Sequence, residues 1–284
     1  MVNRSLWTAS GARLQSVSSG DGKNLHWLFV PGGPGLGSEI MHPLTQILKL
    51  PGTLWHLDLP GDGSNIPSKH PHLSQLTSIE NWANGLLEAV EAFDNVVLVG
   101  HSRGGMFALA LPELEEKLAG LVLLDAAPDM TWQSEFAIRI ENKPLPGRNA
   151  QALAYEKHPD DATLKEFVME GTPYMFTPDA LDKGRKTFEN LPYNNAAIQW
   201  TLNHFDPTYK AKWVPQRIPT LILAGSDDLA TPLKYFAEKK EYIRTNITLR
   251  EIKDAGHFPW IENPQDVAKA FEEYSKKLMS SHKE

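Results

Sequence analysis

The 284-residue chain contains no cysteine, so disulfide bonds, thiol nucleophiles and cysteine-ligated metal sites are excluded. The N-terminal residues include no apolar run of signal-peptide length. No segment approaches the roughly 18 consecutive apolar residues of a membrane span. These absences predict a cytoplasmic protein that does not act in a membrane.

Positive charge is also scarce, because 28 Lys and Arg against 35 Asp and Glu give a formal net charge of −7. Nucleic-acid-binding proteins normally carry a basic patch, and the dense basic runs here are short pairs typical of solvated helix faces. No cluster of His, Asp and Glu has metal-ligand spacing. We therefore expect a small-molecule substrate and neither nucleic acid, metal nor other cofactor, and nothing in the sequence indicates an oligomeric state.

Short apolar runs, each ended by Gly, Pro or Asp, alternate with segments of helical period. The runs are His26–Val30, Thr53–Leu57, Val96–Val99, Leu118–Leu124 and Thr220–Ala224. The helical segments are approximately 38–49, 77–92, 104–116, 231–243 and 264–279. This alternation predicts the α/β class, with a doubly wound, mostly parallel sheet buried on both faces. A weakly alternating run at 13–17, before Gly20-Asp21-Gly22, predicts an antiparallel hairpin at one edge.

The alternation stops between residues 129 and 215, a stretch that we call the cap segment. It shows no clear strand but is rich in helix formers and aromatic residues. We expect a helical cap inserted into a core formed by residues 1–128 and 216–284. Such aromatic residues more often form their own core than a substrate wall, but both hold if the segment covers an active site.

The motif Gly100-His101-Ser102-Arg103-Gly104 lies between a buried strand and a helical segment. A serine on a tight strand-to-helix turn adopts a strained backbone, and glycine two residues to either side removes steric clashes. The N-terminus of the following helix is directed at the serine, where negative charge develops during acyl transfer. The motif predicts Ser102 as a nucleophile, and the alternative is a tight turn with a solvent-facing serine.

The turn Pro31-Gly32-Gly33-Pro34-Gly35 follows the first apolar run, where an oxyanion-binding loop is expected. Proline has no N–H, so Gly33 is the best donor by elimination, and the backbone N–H of Arg103 is the second. The spacing of these glycines matches neither a Walker loop nor a dinucleotide fingerprint. The side chain of Arg103 has two interpretations, attraction of an anionic substrate or a surface salt bridge.

His257 is the predicted base, because it lies in an irregular loop after the strand-like run 247–252, where open α/β sheets bind ligands. A serine–histidine pair needs an orienting carboxylate. Asp228 in Gly225-Ser226-Asp227-Asp228 is favoured, and Asp227 and Asp125 remain alternatives. We expect His101 to pack and the pair His70 and His72 to lie on the surface.

Five elements together resemble the α/β-hydrolase superfamily from about residue 13 to 279. They are Pro31–Gly35, Asp58-Leu59-Pro60-Gly61-Asp62-Gly63-Ser64, Gly100–Gly104, Gly225–Asp228 and Gly256-His257. The first loop and Gly256-His257-Phe258-Pro259-Trp260 look most like the capped, proline iminopeptidase-like branch. The chain departs from that branch at Pro31, where histidine is usual, and at Arg103, where an aromatic residue is frequent. A serine at position 102 argues against haloalkane dehalogenases and epoxide hydrolases, which use aspartate there.

These residues predict a serine hydrolase of a small ester or amide, with Ser102, Asp228 and His257 as catalytic triad and Gly33 and Arg103 as oxyanion donors. A carbon–carbon bond hydrolase acting on a small diketone is the enzymatic alternative. A non-catalytic ligand-binding protein of the same fold is the other alternative. No substrate-binding residue of the cap segment can be chosen from the sequence.

Overall fold

The computed structural model describes residues 4–18, 24–69 and 78–281. The turn at Gly20-Asp21-Gly22, the surface pair His70 and His72, and residue 77 of a helical segment lie outside the described residues. The eight strands are β1 (Ser5–Trp7), β2 (Arg13–Ser18), β3 (His26–Val30), β4 (Thr53–Asp58), β5 (Val96–His101), β6 (Leu118–Leu124), β7 (Thr220–Gly225) and β8 (Ile247–Ile252). Each predicted apolar run therefore forms a strand.

The strands form one sheet in the order β1-β2-β4-β3-β5-β6-β7-β8. The six strands from β4 to β8 in this order are parallel, whereas β2 is antiparallel to both β1 and β4. The edge carries an antiparallel hairpin, but it is formed by β1 and β2, and the run at 13–17 pairs with β4 and not with β3, the next strand in the chain. The doubly wound, mostly parallel α/β sheet is confirmed, and β5 lies near its centre.

The helices are α1 (His42–Ile47), α2 (Trp82–Glu91), α3 (Arg103–Leu109), α4 (Thr131–Glu141), α5 (Pro146–Lys157), α6 (Asp161–Gly171), α7 (Leu181–Phe188), α8 (Asn195–Trp200), α9 (Lys234–Ala237), α10 (Pro259–Glu262) and α11 (Pro264–Ser281). The segment 231–243 is less helical than its spacing predicts, because it contains only the four residues of α9 and a short 3-10 turn at Lys240–Tyr242. Phe236 and Tyr242 are both buried there. Their apolar spacing reflects the packing of a compact loop and not of a continuous helix.

Alternate residues of the central strands enter two hydrophobic clusters on opposite faces of the sheet. Leu28 and Leu98 belong to one cluster, with side chains of α2 and α3, whereas Phe29 and Val99 belong to the other, with side chains of α11. A strand that is apolar at successive positions can bury both of its faces only when helices cover both sides of the sheet. No helix in the described part of the chain is long and apolar enough to cross a membrane.

The cap segment contains helices α4 to α8 and lies between β6 and β7 in the chain. An isolated antiparallel bridge joins Asp129 to Lys210, near the two ends of this segment. The backbone N–H of His257 donates to the carbonyl of Met175 at 2.8 Å, so the cap segment touches a loop that follows β8. The helical character expected from the composition is therefore present beside the carboxyl end of the sheet.

Candidate active site

Ser102 lies between the last residue of β5 and the first residue of α3, with φ 51° and ψ −123°. A positive φ at a residue other than glycine costs about 1–3 kcal/mol, and such strain is typical of functional turns. The backbone N–H of Ser102 donates to the carbonyl of Leu124 at 2.8 Å, which ties the turn to β6. The fold thus holds this serine in the strained conformation that the motif predicts.

Three glycines make this turn possible because other chain segments approach them closely. A Cβ atom on Gly100 would lie 2.6 Å from the backbone of Gly105, and one on Gly104 would lie 2.5 Å from the carbonyl oxygen of Val30. A Cβ on Gly32 would lie 2.6 Å from the Cβ of Ser102. The loop Pro31–Gly35 therefore contacts the side chain of Ser102 directly.

The carboxylate of Asp228 orients the ring of His257. Nδ1 of His257 lies 3.0 Å from Oδ2 of Asp228, and both side chains are buried. The same carboxylate accepts the backbone N–H of Ala230 at 2.8 Å, and Oγ1 of Thr231 lies 3.0 Å from its Oδ2. Burial alone would raise the pKa of Asp228, but the imidazole and the N–H donors hold this pKa below its usual value. Asp228 is therefore ionised, and its carboxylate accepts the hydrogen bond from Nδ1 of His257.

The two other carboxylates considered from the sequence have different environments. Asp227 is exposed and accepts the hydroxyl of Ser226 at 2.7 Å. Asp125 is fully buried and accepts the backbone N–H of Gly225 at 2.9 Å. Burial and the charge of Asp228 raise the pKa of Asp125 well above its usual range. The structure thus brings Asp228, and not Asp227, to the histidine, and it places a neutral carboxyl group behind this pair.

Ser102 and His257 line the same cavity. Among the described residues no hydrogen bond joins the serine hydroxyl to the imidazole, a bond that is often long in unliganded hydrolases. His101 is buried and packs edge-on against Trp260, and its Nε2–H donates to the carbonyl oxygen of His257 at 3.0 Å. Burial and the neighbouring imidazole lower the pKa of His101 well below its usual value, so this ring is a neutral support of the histidine loop.

The predicted oxyanion loop and the helix after Ser102 are joined by the side chain of Arg103. Its Nη1 donates to the carbonyl oxygen of Gly33 at 3.0 Å, while Nε and Nη2 donate to the carboxylate of Asp206 at 2.9 and 2.6 Å. The side chain of Arg103 is 12% exposed and that of Asp206 is 4% exposed. Of its two interpretations, the ion pair is observed, but it is mostly buried and links the cap segment to the loop.

The backbone donors are placed at the same wall. In the described part of the chain, the N–H of Gly33 has no hydrogen-bond partner. Arg103 is the first residue of α3, so its N–H has no acceptor within the helix. Both residues line the cavity that Ser102 lines.

A buried polar network holds the backbone of the loop Pro31–Gly35 and of the residues that follow it. Arg13 forms an ion pair with Asp58 at 2.7 Å, and Asp58 accepts the backbone N–H of Ser38 at 2.7 Å. The carboxyl group of Asp62 accepts the backbone N–H of Gly35 at 2.6 Å. Burial and the charge of Asp58 raise the pKa of Asp62 to about 7. Asp58 and Asp62 of the Asp58–Ser64 motif thus hold the backbone at Ser38 and Gly35, at the end of the predicted oxyanion loop.

The cavity has a volume of about 460 Å³ and lies between the sheet and the cap segment. This volume is within the range of small-molecule sites. The cap segment contributes aromatic walls, namely Trp132, Phe136, Tyr155, Phe167, Tyr174 and Phe188. No Asp or Glu is among the described residues that line it. The aromatic residues noted in the sequence thus form both the packing of the cap segment and a wall of the cavity.

Asp125, Asp228 and His257 are also the residues nearest to a metal-ligand arrangement, because one ligand atom from each lies within 4.8 Å of the others. The donors of two of them are already used within the protein. Nδ1 of His257 and both oxygens of Asp228 form hydrogen bonds to protein groups. These potential ligand atoms are therefore occupied by hydrogen bonds within the protein.

Several residues of the site are not visible in the sequence. Thr231 connects the carboxylate of Asp228 with the carbonyl of Asp125, to which it donates at 2.6 Å. Asp206 is the partner of Arg103 and belongs to no motif. A threonine three residues after the acid is a weak local signal that could have been noted, whereas Asp206 had none.

The comparisons with known proteins agree with this architecture. Residues 27–270 match the model of the Alpha/beta hydrolase family, and the chain belongs to this family. A pimeloyl-[acyl-carrier protein] methyl ester esterase of Aromatoleum aromaticum is 27% identical over 257 residues, which cover 85% of this chain and 94% of that protein. A proline iminopeptidase of Lactobacillus helveticus is 25% identical over 268 residues, covering 87% of this chain and 88% of that one.

Among solved structures, a proline iminopeptidase-related protein from Thermus thermophilus superposes with a TM-score of 0.69 at 22% identity. The match covers 98% of this chain and 99% of the other, which shows the shared fold. The expected resemblance to the proline iminopeptidase-like branch is confirmed. The relatives thus include both an esterase and a proline iminopeptidase.

Proposed function

We propose that this α/β-hydrolase is a serine hydrolase that transfers an acyl group from a small ester or amide to water through Ser102. One observation carries the proposal: a serine held at φ 51° lines the same cavity as a histidine oriented by a buried carboxylate at 3.0 Å. Backbone strain of this kind is retained where surrounding contacts enforce it, and a nucleophilic turn gives it a use. In this proposal residues 129–215 act as a cap on a core of residues 1–128 and 216–284.

The first half of the reaction acylates the serine. Nε2 of His257 accepts the hydroxyl proton of Ser102 as Oγ attacks the substrate carbonyl carbon. The imidazolium that forms is stabilised by Asp228, which accepts the proton-bearing Nδ1 and fixes the tautomer. His257 then donates its new proton to the leaving group, which departs as an alcohol or amine.

The second half hydrolyses the acyl-enzyme. His257 accepts a proton from a water molecule, whose oxygen attacks the acyl carbon. It returns this proton to Oγ of Ser102 as the bond between Oγ and the acyl carbon breaks and the carboxylic acid is released. In both halves the carbonyl oxygen becomes negatively charged, and we assign its stabilisation to the N–H groups of Gly33 and Arg103. The hydrogen bond from the Arg103 side chain to the Gly33 carbonyl holds the two donors at one wall.

Esters fit the cavity better than peptides with a free amino terminus. An aminopeptidase needs carboxylates to bind the ammonium group of its substrate, and none is among the described residues that line the cavity. Its surface is mainly aromatic and aliphatic, which suits an apolar acyl or alcohol portion. The esterase among the relatives therefore resembles the proposed activity more than the iminopeptidases do.

The proposal is tested with Ser102→Ala and a 4-nitrophenyl ester of a short fatty acid. We expect turnover to fall by about three to six orders of magnitude, since removal of a nucleophile leaves only binding and oxyanion stabilisation. The circular dichroism spectrum and Tm should stay close to those of the wild type. Ser280→Ala, at an exposed position of α11, is the matched control and should keep full activity.

A fluorophosphonate probe separates the enzyme from a non-catalytic binding protein of the same fold. We expect stoichiometric labelling of the wild type at Ser102, found by mass spectrometry of the labelled peptide, and none in Ser102→Ala. Absence of labelling in the folded wild type, together with unchanged ester turnover in the variant, refutes the proposed mechanism. Parallel assays with proline arylamides and a diketone ring-fission product distinguish amide and carbon–carbon bond hydrolysis.

A further inference from the structure

Arg148 lies on α5 and lines the cavity, and it is the second arginine there besides Arg103. The charge of Arg103 is neutralised by Asp206. Arg148 has no such partner, since in the described part of the chain its guanidinium makes no hydrogen bond and no ion pair within 4.0 Å. The cavity thus contains one cationic group that is not neutralised.

Two aromatic rings position this guanidinium. Its Cζ lies 4.7 Å from the ring centroid of Phe167 and 5.5 Å from that of Tyr174. Both rings line the cavity, and the hydroxyl of Tyr174 donates to the carbonyl of Lys143 at 2.6 Å, which fixes its orientation. Cation–π contacts attract the charge and hold the plane of the guanidinium but use none of its five N–H donors.

The surroundings make an ionic partner favourable. Arg148 is partly buried, and this burial lowers its pKa, which means that removal from water already disfavours the charge. The carboxylate of Glu170 lies near the adjacent Gly147 but does not form an ion pair with Arg148. Because this guanidinium is partly removed from water and lacks an acceptor, an anionic group of the substrate would stabilise it by accepting its N–H donors.

We propose that Arg148 binds a carboxylate group of the substrate, so that the hydrolase acts on an ester whose acyl or alcohol portion carries a carboxylate remote from the scissile carbonyl. This inference rests on the proposed serine hydrolase activity. A carboxylate matches the guanidinium fork with two parallel hydrogen bonds. A dianionic phosphate monoester would leave about one further charge without a cation, because the cavity offers no other unpaired basic residue among those described.

The proposal explains how the two ends of a substrate are distinguished. The scissile carbonyl is bound at Ser102 and the oxyanion donors, the apolar part contacts the aromatic walls, and the carboxylate is bound at Arg148. A free ammonium group is disfavoured near the same arginine by charge repulsion. The site is therefore selective in the opposite sense to an aminopeptidase site.

The test compares matched pairs of esters. One series consists of 4-nitrophenyl half-esters of six- to eight-carbon α,ω-dicarboxylic acids, each paired with its ω-carboxamide, which is neutral and of equal size. A second pair carries the carboxylate or carboxamide on the alcohol portion, as butyrate esters of 4-hydroxyphenylacetate and 4-hydroxyphenylacetamide. The measured quantity is the ratio of kcat/KM for the anionic ester to that for its carboxamide.

We expect the wild type to prefer the anionic ester in at least one series. In that series, Arg148→Gln should lower the ratio of kcat/KM values by at least roughly 30-fold, the effect typical of truncating one partner of a buried charge pair. Arg148→Lys should recover part of the preference, which a merely structural role would not produce. Arg185→Gln is the matched control, because Arg185 is a partly buried arginine of the cap segment that donates to Thr172 and does not line the cavity. Its ratio should equal that of the wild type.

The outcomes separate this inference from the proposed function. An equal ratio in the wild type and in folded Arg148→Gln, with carboxamide esters still cleaved through Ser102, overturns the role of Arg148 and leaves the hydrolase activity intact. If Ser102→Ala cleaves the carboxamide esters as fast as the wild type, the hydrolase mechanism itself is wrong. Because each ratio is taken within one protein, a general loss of activity in a variant does not change it.

Discussion

The buried carboxyl group of Asp62 gives a quantitative prediction about stability. It is fully buried next to the loop Pro31–Gly35 and accepts the N–H of Gly35 at 2.6 Å. Burial and the charge of Asp58 raise its pKa from 3.8 to about 7. Asp62→Asn replaces it with a group of the same shape that keeps the acceptor oxygen but never ionises.

The size and sign of the effect follow from this shift. The pKa change of about 3 units corresponds to about 4 kcal/mol at about 1.4 kcal/mol per unit. Below pH 3.8 the carboxyl group is protonated in both the folded and the unfolded state, so its contribution to stability is fully present. This contribution is lost as the pH rises through about 7, because the unfolded chain ionises more readily. Above that pH, Asp62→Asn should be more stable than the wild type by up to about 4 kcal/mol.

The assay is urea unfolding of the wild type and Asp62→Asn, followed by tryptophan fluorescence between pH 5 and pH 8.5. We expect the difference in free energy of unfolding to increase from pH 5 to about pH 7, the pKa of Asp62 in the folded state, and then to level off. Asp94→Asn removes an exposed carboxylate and is the control, for which we expect a small difference at every pH. If Asp62→Asn is no more stable than the wild type at pH 8.5, the carboxylate of Asp62 is better solvated or paired than its contacts indicate, and the reasoning is wrong.

The remaining predictions concern the proposed active site and use the hydrolysis of a neutral 4-nitrophenyl ester as assay. Asp228→Asn should lower kcat by roughly 10³- to 10⁴-fold by disturbing the histidine tautomer. Asp125→Asn replaces a neutral group and should change kcat by less than about tenfold. A reversal of these two effects would make Asp125 the orienting acid. Gly32→Ala introduces a methyl group 2.6 Å from the Cβ of Ser102. The kcat should therefore fall by at least roughly 100-fold, as expected when a reacting group is displaced by about 1 Å. Wild-type kinetics in this variant would contradict the close approach of Gly32 to Ser102. Arg103→Met removes the hydrogen bond to the oxyanion loop and should lower kcat more than it raises KM, by roughly 10- to 100-fold; an effect on KM alone would show that the side chain acts only in substrate binding.

Much of the sheet could be predicted because buried parallel strands leave a simple pattern. Strands covered on both faces are apolar at every position, and the turn residues that end them interrupt the pattern within one or two residues. The run Val96–Val99 thus forms the first four residues of β5, which extends to His101. The pairing of β2 with β4 could not be predicted in the same way, because strand neighbours depend on contacts between distant segments.

The strained turn at Ser102 was also predictable, because it is a local feature. Gly100, Ser102 and Gly104 lie within five residues, and the steric requirement for glycine at both ends follows from the backbone alone. The choice among Asp228, Asp227 and Asp125 was harder. Adjacent aspartates in one loop carry the same local signal, and only the direction of the chain after β7 decides which one meets the histidine.

By itself, the sequence determined the order of strands and helices, the absence of thiol chemistry and the strained turn at Ser102, since each depends on neighbouring residues or on composition. The tertiary structure alone decided that Asp228 contacts His257 and that Arg103 is paired with Asp206. It also decided that Arg148 lies in the cavity without a hydrogen-bond or ion-pair partner among the described residues. The members of these pairs are 29 and 103 positions apart in the chain. Charge pairing and burial are set by distance in space, and no local pattern of residues encodes that distance.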